Sequence, residues 1–195
     1  GHIPGAVHLP LFSDREREEV GTLYKSKGKA IATRKGIEFT SVKLPQFVNT
    51  VDQWTEGMEQ KIRLYCWRGG MRSGSMAWLL QTAGYQAELL DGGYKAFRKW
   101  GSSLFRAEWN LRILTGYTGS GKTEVLQELK ALGAQVIDLE GLAAHRGSSF
   151  GGLGKEAQPS TEHFQNLLIE ALTQMDPELP LWLEDESIRI GQCHL

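Results

Sequence analysis

Cysteine is scarce in this chain: among 195 residues there are two, Cys66 and Cys193. Two thiols, one of them in a glycine-rich polar loop, exclude a disulfide framework and point to a reducing compartment. No apolar run approaches the roughly 20 residues needed to cross a bilayer, and Gly1-His2-Ile3-Pro4-Gly5 has neither the basic nor the apolar region of a secretory leader. A soluble, cytoplasmic protein with no membrane partner is expected. An initiator Met is lacking as well, and the opening Gly/Pro turn leads us to expect that the natural N-terminus lies further upstream. Internal repeats and low-complexity tracts are absent, and His2, His8, His163 and Cys193-His194 show no metal-ligand spacing, so no structural metal site is expected. What is present is an ordinary globular composition, 41% hydrophobic and 23% charged, which argues for a packed core. The length falls between one typical domain of roughly 100 to 150 residues and two, which suggests two incomplete domains.

The formal net charge of -1 is unevenly distributed. Residues 61–112 carry nine lysines and arginines against Glu88, Asp91 and Glu108, an excess of +6. That stretch could face a polyanion or simply solvate a surface, and composition leaves both open. Hydrophobic periodicity outlines the elements. A short strand is expected at residues 6–9, a surface helix at 14–27 capped by Ser13, and an amphipathic helix at 45–58 with Phe47, Val48, Val51 and Trp54 on one face. Residues 62–65 alternate as a strand and deliver Cys66 to a sheet rim. After the loop 66–72, Ser73 is expected to cap a helix running to Ala83. A strand at 87–90 and a helix at 94–100 follow. A second unit is expected with strands at 111–115, 135–139 and 181–186 and a helix at 122–132. Strand, loop, helix, strand is the rhythm of a parallel α/β sheet. The boundary is placed near residues 101–108, giving domains 1–104 and 105–195.

The loop Cys66-Trp67-Arg68-Gly69-Gly70-Met71-Arg72 lies between a strand and a helix, so backbone N–H groups can converge on the sulfur from the helix N-terminus. That setting, with two nearby guanidinium groups, is expected to lower the thiol pKa below the roughly 8.5 of a free cysteine. Gly69 and Gly70 leave room for the turn to curl. Cys66 and Arg72 also satisfy the C-x5-R spacing of cysteine phosphatases, whose cysteine attacks phosphorus. Spacing alone leaves a sulfur carrier and a phosphatase both open.

The second loop, Gly116-Tyr117-Thr118-Gly119-Ser120-Gly121-Lys122-Thr123, fits G-x-x-x-x-G-K-[ST] without a mismatch. Its backbone can cradle a di- or triphosphate, Lys122 can reach the terminal oxygens, and Thr123 can hold Mg²⁺. Whether the ligand is ATP, GTP or another diphosphate is open. Asp185 or Glu184, closing an apolar run, could orient Mg²⁺. His145 and Arg146 open a glycine-rich stretch to Gly152 that suits phosphate contacts in a mobile binding loop.

Three segments together resemble the rhodanese family: Gly1-His2-Ile3-Pro4-Gly5-Ala6, Cys66 at the nucleophile position, and the Leu90-Asp91-Gly92-Gly93 to Trp100 element. The resemblance implies further strands ahead of residue 1. With the strings CWRGGMRS, GYTGSGKTE and DLEGLAAHRGSSFG, nearly the whole chain closely resembles the bacterial tRNA 2-selenouridine synthase family. The fold this implies is a rhodanese-like parallel-sheet domain followed by a P-loop NTPase-like α/β domain, both incomplete. It also implies an enzyme that replaces sulfur by selenium in wobble 2-thiouridine of tRNA, with selenophosphate and geranyl diphosphate as co-substrates. Under this reading Gly116, Gly119, Ser120, Gly121, Lys122 and Thr123 grip the prenyl diphosphate, Cys66 serves the selenium step, and Arg68 and Arg72 attract selenophosphate. Trp67, Tyr94, Phe97, Trp100 and Trp109, interleaved with bases, would offer stacking surfaces to an RNA loop. A sulfurtransferase or C-x5-R phosphatase fused to a nucleotide-binding module is the alternative.

Overall fold

The computed structural model describes residues 2–117, 119–146, 152, 154 and 157–195. It divides into two compact units, residues 7–96 and residues 1–6 with 97–195.

The first unit opens with a helical pair, α1 (Asp14–Lys27) and α2 (Lys29–Ser41). Ser13 and Glu16 form a reciprocal capping box that starts α1: the Glu16 N–H donates to Ser13 Oγ (3.3 Å) and the Ser13 N–H to the Glu16 carboxylate (2.8 Å). Such a cap contributes about 1 kcal/mol. The helix α2 has no counterpart in the periodicity reading, because its apolar residues Ile31 and Ile37 stay exposed. Then come α3 (Leu44–Trp54), β1 (Lys61–Leu64), α4 (Met71–Thr82), β2 (Gln86–Leu89) and α5 (Gly93–Leu104), which runs across the 96/97 division. β1 and β2 pair in parallel, Lys61 opposite Gln86 through Leu64 opposite Leu89. Phe47 and Val51 of α3, Met76 and Leu80 of α4, Tyr85 and Ala87 make the core against this sheet.

The second unit contains β3 (Leu111–Leu114), α6 (Lys122–Ala131), β4 (Gln135–Val136), α7 (Leu139–Leu142), α8 (Thr161–Thr173), β5 (Leu181–Glu184), β6 (Arg189–Ile190) and β7 (Cys193–His194). Its parallel sheet has the order β3-β5-β4, and β6-β7 is an antiparallel hairpin. Ile137, Phe164, Leu168, Leu172, Leu181, Ile190 and the inert Cys193 form its core. Within α5, Gly101 lets α8 approach, since an added Cβ would collide with the Ile169 side chain.

Three expectations are corrected. Residues 6–9 are not a strand; Pro4-Gly5 makes a turn, closed by the Ala6 N–H donating to Ile3 O (3.1 Å), and no ladder partner follows among the described residues. The strand expected at 135–139 stops at Val136, because Asp138 caps the short α7 by accepting from the Gly141 N–H (2.6 Å). Helix α4 begins at Met71, with Gly70 as its N-cap, so Ser73 is not a cap and Met71 and Arg72 belong to the helix instead of the loop.

Candidate active site

In the first unit, β1 carries the chain directly into Cys66. The turn 66–70 then curls under the start of α5: the Tyr94 N–H donates to Cys66 O (3.0 Å) and the Lys95 N–H to Trp67 O (3.0 Å). Two glycines make this fit possible. Gly69 has φ +60, and a Cβ there would lie 2.9 Å from Gly93 N and Leu90 O. Gly93 also has φ +60, and a Cβ on it would run into the Cys66 carbonyl oxygen and Gly69 N. Gly70, by contrast, has open space around it, so only one of the two loop glycines is sterically required. Cys66, Trp67, Arg68, Gly70, Met71 and Arg72 line a cavity of about 330 Å³.

The thiol itself is half-buried. Burial alone pushes its pKa up, but hydrogen bonds from the Ser73 hydroxyl and from the backbone N–H groups of Ser73, Arg68 and Gly70 outweigh it, lowering the pKa from 9.0 to about 7. The shift thus comes mainly from a hydroxyl and helix-start amides, which point at the sulfur at fixed short range, and not from the exposed guanidinium groups of Arg68 and Arg72. Ser73 is the residue sequence reading missed. It is 4% exposed, and its Oγ lies 3.2 Å from both Cys66 Sγ and Gly70 O. The signal was its position three residues after Gly70, which on a helix starting at Met71 returns the side chain over the loop.

The aromatic and basic stretch separates into two groups. Tyr94 is 1% exposed and belongs to the core, stacked beneath Tyr65, whereas Trp67 is exposed with its ring 5.5 Å from Tyr94. Trp100 is exposed, while Phe97 and Trp109 are half-buried. Arg98 is not a free cation for a polyanion: it donates to Asn166 Oδ1 (2.7 Å) and Gln165 Oε1 (2.6 Å) within the second unit.

In the second unit, the Gly116–Thr123 turn follows β3 and opens α6; Thr118 lies outside the described residues. Gly119 (φ +80) and Gly121 (φ +82) take the left-handed conformation that a tight anion-cradling turn uses. Gly121 is the N-cap of α6 and no side chain caps it, so first-turn N–H groups remain for an anion. A Cβ at Gly116 would lie 2.6 Å from Ser120 Oγ. Lys122 Nζ donates to Gly116 O (2.9 Å), which bends the amine back over the turn.

Next to β3, strand β5 ends in carboxylates, and the Asp185 N–H donates to Leu114 O (3.0 Å). Asp185 is exposed there, whereas Glu184 is 2% exposed and accepts from the Glu140 N–H (2.9 Å). Burial raises the Glu184 pKa, the Glu140 N–H opposes this, and the nearby Asp138 and Glu140 carboxylates raise it further, to about 7. Burial followed by the Glu186 carboxylate raises Glu140, and burial followed by Glu184 raises Glu186, while the Lys122 charge acts on both in the opposite direction. Among the described residues no group of three or more His, Cys, Asp or Glu side chains converges as a metal site. Arg146 is exposed, and of the stretch that follows it residues 147–151 lie outside the described residues.

A raised Glu184 pKa has a definite effect on stability. The protonated carboxyl supports the fold fully below the unfolded value of 4.5, and that contribution is lost as pH rises through about 7. Glu184→Gln is therefore expected to melt above the wild type at pH 8 and to converge with it toward pH 5, in melts followed by circular dichroism. An offset that is constant with pH would show that Glu184 does not titrate in this range.

A thiol set in a glycine turn just after β1, and a lysine-bearing glycine turn between β3 and α6, are the two candidate sites of this α/β chain. The chain belongs to the rhodanese-like domain family, which matches residues 1–99, and residues 109–195 match the family described as the tRNA 2-selenouridine synthase AAA domain. Over its whole length it is similar to tRNA 2-selenouridine synthases, 39% identical to that of Nitrosomonas europaea over 203 residues and 40% to that of Shewanella halifaxensis over 202. These alignments cover 100% of this chain and 52% and 53% of the relatives, so the chain spans about half the length of the curated relatives it matches. Among solved structures, the N-terminal domain of a Clostridium difficile 630 protein described as ATP/GTP binding is 42% identical. It covers 51% of this chain and 77% of its own, with a TM-score of 0.47. No helix among the described residues is long and apolar enough to cross a membrane.

Proposed function

We propose that this chain performs the chemistry of a tRNA 2-selenouridine synthase, exchanging sulfur for selenium in wobble 2-thiouridine of tRNA. The observation that carries the reading is the Cys66 thiol, poised near neutrality by Ser73 and backbone amides in the rhodanese-like part, in a chain whose remainder matches the synthase AAA domain. Residues 1–104 and 105–195 divide the work. The thiouracil sulfur is a poor leaving group, and alkylation makes it a better one. In the first step the sulfur attacks C1 of geranyl diphosphate, the C–O bond breaks, and diphosphate departs. Amides of the Gly116–Thr123 turn and Lys122 would stabilise that departing charge. Thr123 and Asp185 are the groups that would hold Mg²⁺, which at phosphate sites keeps water and phosphate oxygens as its other ligands.

In the second step the selenium of selenophosphate adds at C2 and expels the geranyl thiolate, and water then attacks phosphorus, breaking the P–Se bond and releasing phosphate. Cys66 serves this step, with Arg68 and Arg72 at the cavity rim drawing in the selenophosphate anion. The cytoplasm suits a free thiol of this kind. Mass spectrometry of wobble uridines tests the reading in a synthase-deletion strain carrying the full-length protein. Cys66→Ser is expected to accumulate thio- or geranylthio-uridine, and Lys122→Ala to lack the geranyl form. Normal selenouridine levels in both variants would overturn the reading. Cys66-dependent hydrolysis of an aryl phosphate would favour the phosphatase alternative.

A further inference from the structure

The helical hairpin of the first unit carries a charge pattern that its own stability does not explain. Between Val20 and Ile37 there is no Asp or Glu, but there are Lys25, Lys27, Lys29, Arg34 and Lys35. Lys35 is engaged, 3.7 Å from Glu19, 3.1 Å from Glu38 and 4.7 Å above the Phe39 ring. The other four are exposed, and no ion pair reaches them among the described residues. Lys25 and Lys27 suit the negative end of α1. Lys29 does not suit its place: it opens α2 at the positive pole, behind the N-cap Gly28 (φ 85), with no side-chain cap and no acid in the first turn. The hairpin also adds little to the core, burying Ala32 and Gly36 of α2 alone. α1 buries none of its residues, and the core cluster of this unit takes nothing from α1 or α2. Tyr24, 58% exposed, stands beside Lys25 as an uncovered ring.

Four exposed cations with no ion pair among the described residues, one of them (Lys29) at the unfavourable end of its helix, beside an exposed aromatic, match a partner that supplies closely spaced negative charge and flat rings. We propose that the tip of the α1–α2 hairpin, through Lys25, Lys27, Lys29 and Arg34, docks the phosphate backbone of RNA, with Tyr24 as an adjacent stacking face. This inference rests on the tRNA reading above and adds to it the surface that holds the tRNA.

The test is fluorescence anisotropy of a labelled tRNA transcript against this chain over a series of salt concentrations. Wild type is compared with a variant carrying Lys25→Gln, Lys27→Gln, Lys29→Gln and Arg34→Gln. At about 0.1 M salt the variant is expected to bind at least about tenfold more weakly, and its slope of log affinity against log salt to be shallower by about 3. The Lys27→Gln/Lys29→Gln double variant, changed only around the exposed hairpin turn, should show about half the slope change while keeping the wild-type melting temperature. Unaltered tRNA affinity and slope in both variants would overturn the proposal. So would a loss confined to phosphatidylserine vesicles, which would mark the patch as a membrane contact. If the wild-type chain binds no tRNA at all, the tRNA reading itself fails and this surface falls with it; equal binding by wild type and variants removes only the surface.

Discussion

Replacing Ser73 with Ala is expected to slow alkylation of Cys66 by iodoacetamide at pH 7 by about fivefold or more. The midpoint of the rate–pH profile should move from about 7 back toward 9.0. The reason is geometric. Ser73 Oγ is 3.2 Å from the sulfur, is shielded from water, and is the largest of the hydrogen-bonding influences that overcome the burial of the thiol. At a pKa near 7 half of the thiol is thiolate at neutral pH, and each further unit upward removes most of what remains. Ser73→Thr keeps a hydroxyl at the same helical position and should restore much of the profile. Arg72→Ala should move the midpoint less than Ser73→Ala, because amides and a hydroxyl, not the exposed guanidinium, hold the charge. A Ser73→Ala profile superimposable on wild type would remove the hydroxyl from this account. Because Ser73 acts through the Cys66 sulfur, it is a positioning residue; the pH profile separates that role from a merely structural one.

Gly93→Ala is expected to be the most damaging single substitution at the thiol turn, costing about 3 kcal/mol or more and lowering the melting temperature by about 10 °C or more. Two costs add at this position. A φ of +60 is unfavourable for any residue with a Cβ, and the Cβ would enter space held by backbone atoms of Cys66 and Gly69, which cannot swing aside as a side chain can. To relieve the clash the start of α5 would have to leave the turn. The Tyr94-to-Cys66 and Lys95-to-Trp67 hydrogen bonds would be lost, and the amides around the sulfur would lose their aim. Gly70→Ala is the paired control: nothing lies within 4 Å of its added Cβ, so it should melt close to wild type. Differential scanning calorimetry of the two variants decides the matter, and equal melting temperatures would contradict the packing described here.

Much of this was legible in the residues themselves. Runs with a strong local signature came through: the capped, charge-graded α1, the alternating β1, the body of α4 though not its start, and α6 with its glycine-led start. Each depends on contacts within a few residues of chain. Both glycine turns were legible for the same reason, since a turn's backbone conformation is set by where its glycines fall. What escaped was whatever depends on a distant partner. Helix α2 shows little amphipathic pattern because it buries only Ala32 and Gly36. Residues 6–9 have the apolar content of a strand but no ladder partner among the described residues. Arg98 and Tyr94 looked like part of an RNA-facing surface until Asn166, Gln165 and Tyr65 were found against them.

The amino-acid order by itself determined that a cysteine would sit at the end of a strand in a glycine turn and that a lysine would follow a second such turn, because those placements are local. Tertiary structure alone decided what the cysteine is chemically. The start of helix α4 two residues before Ser73 and the packing of Gly93 under the loop gather one hydroxyl and three amides around the sulfur, and a thiol's acidity is set by the donors that reach it in space.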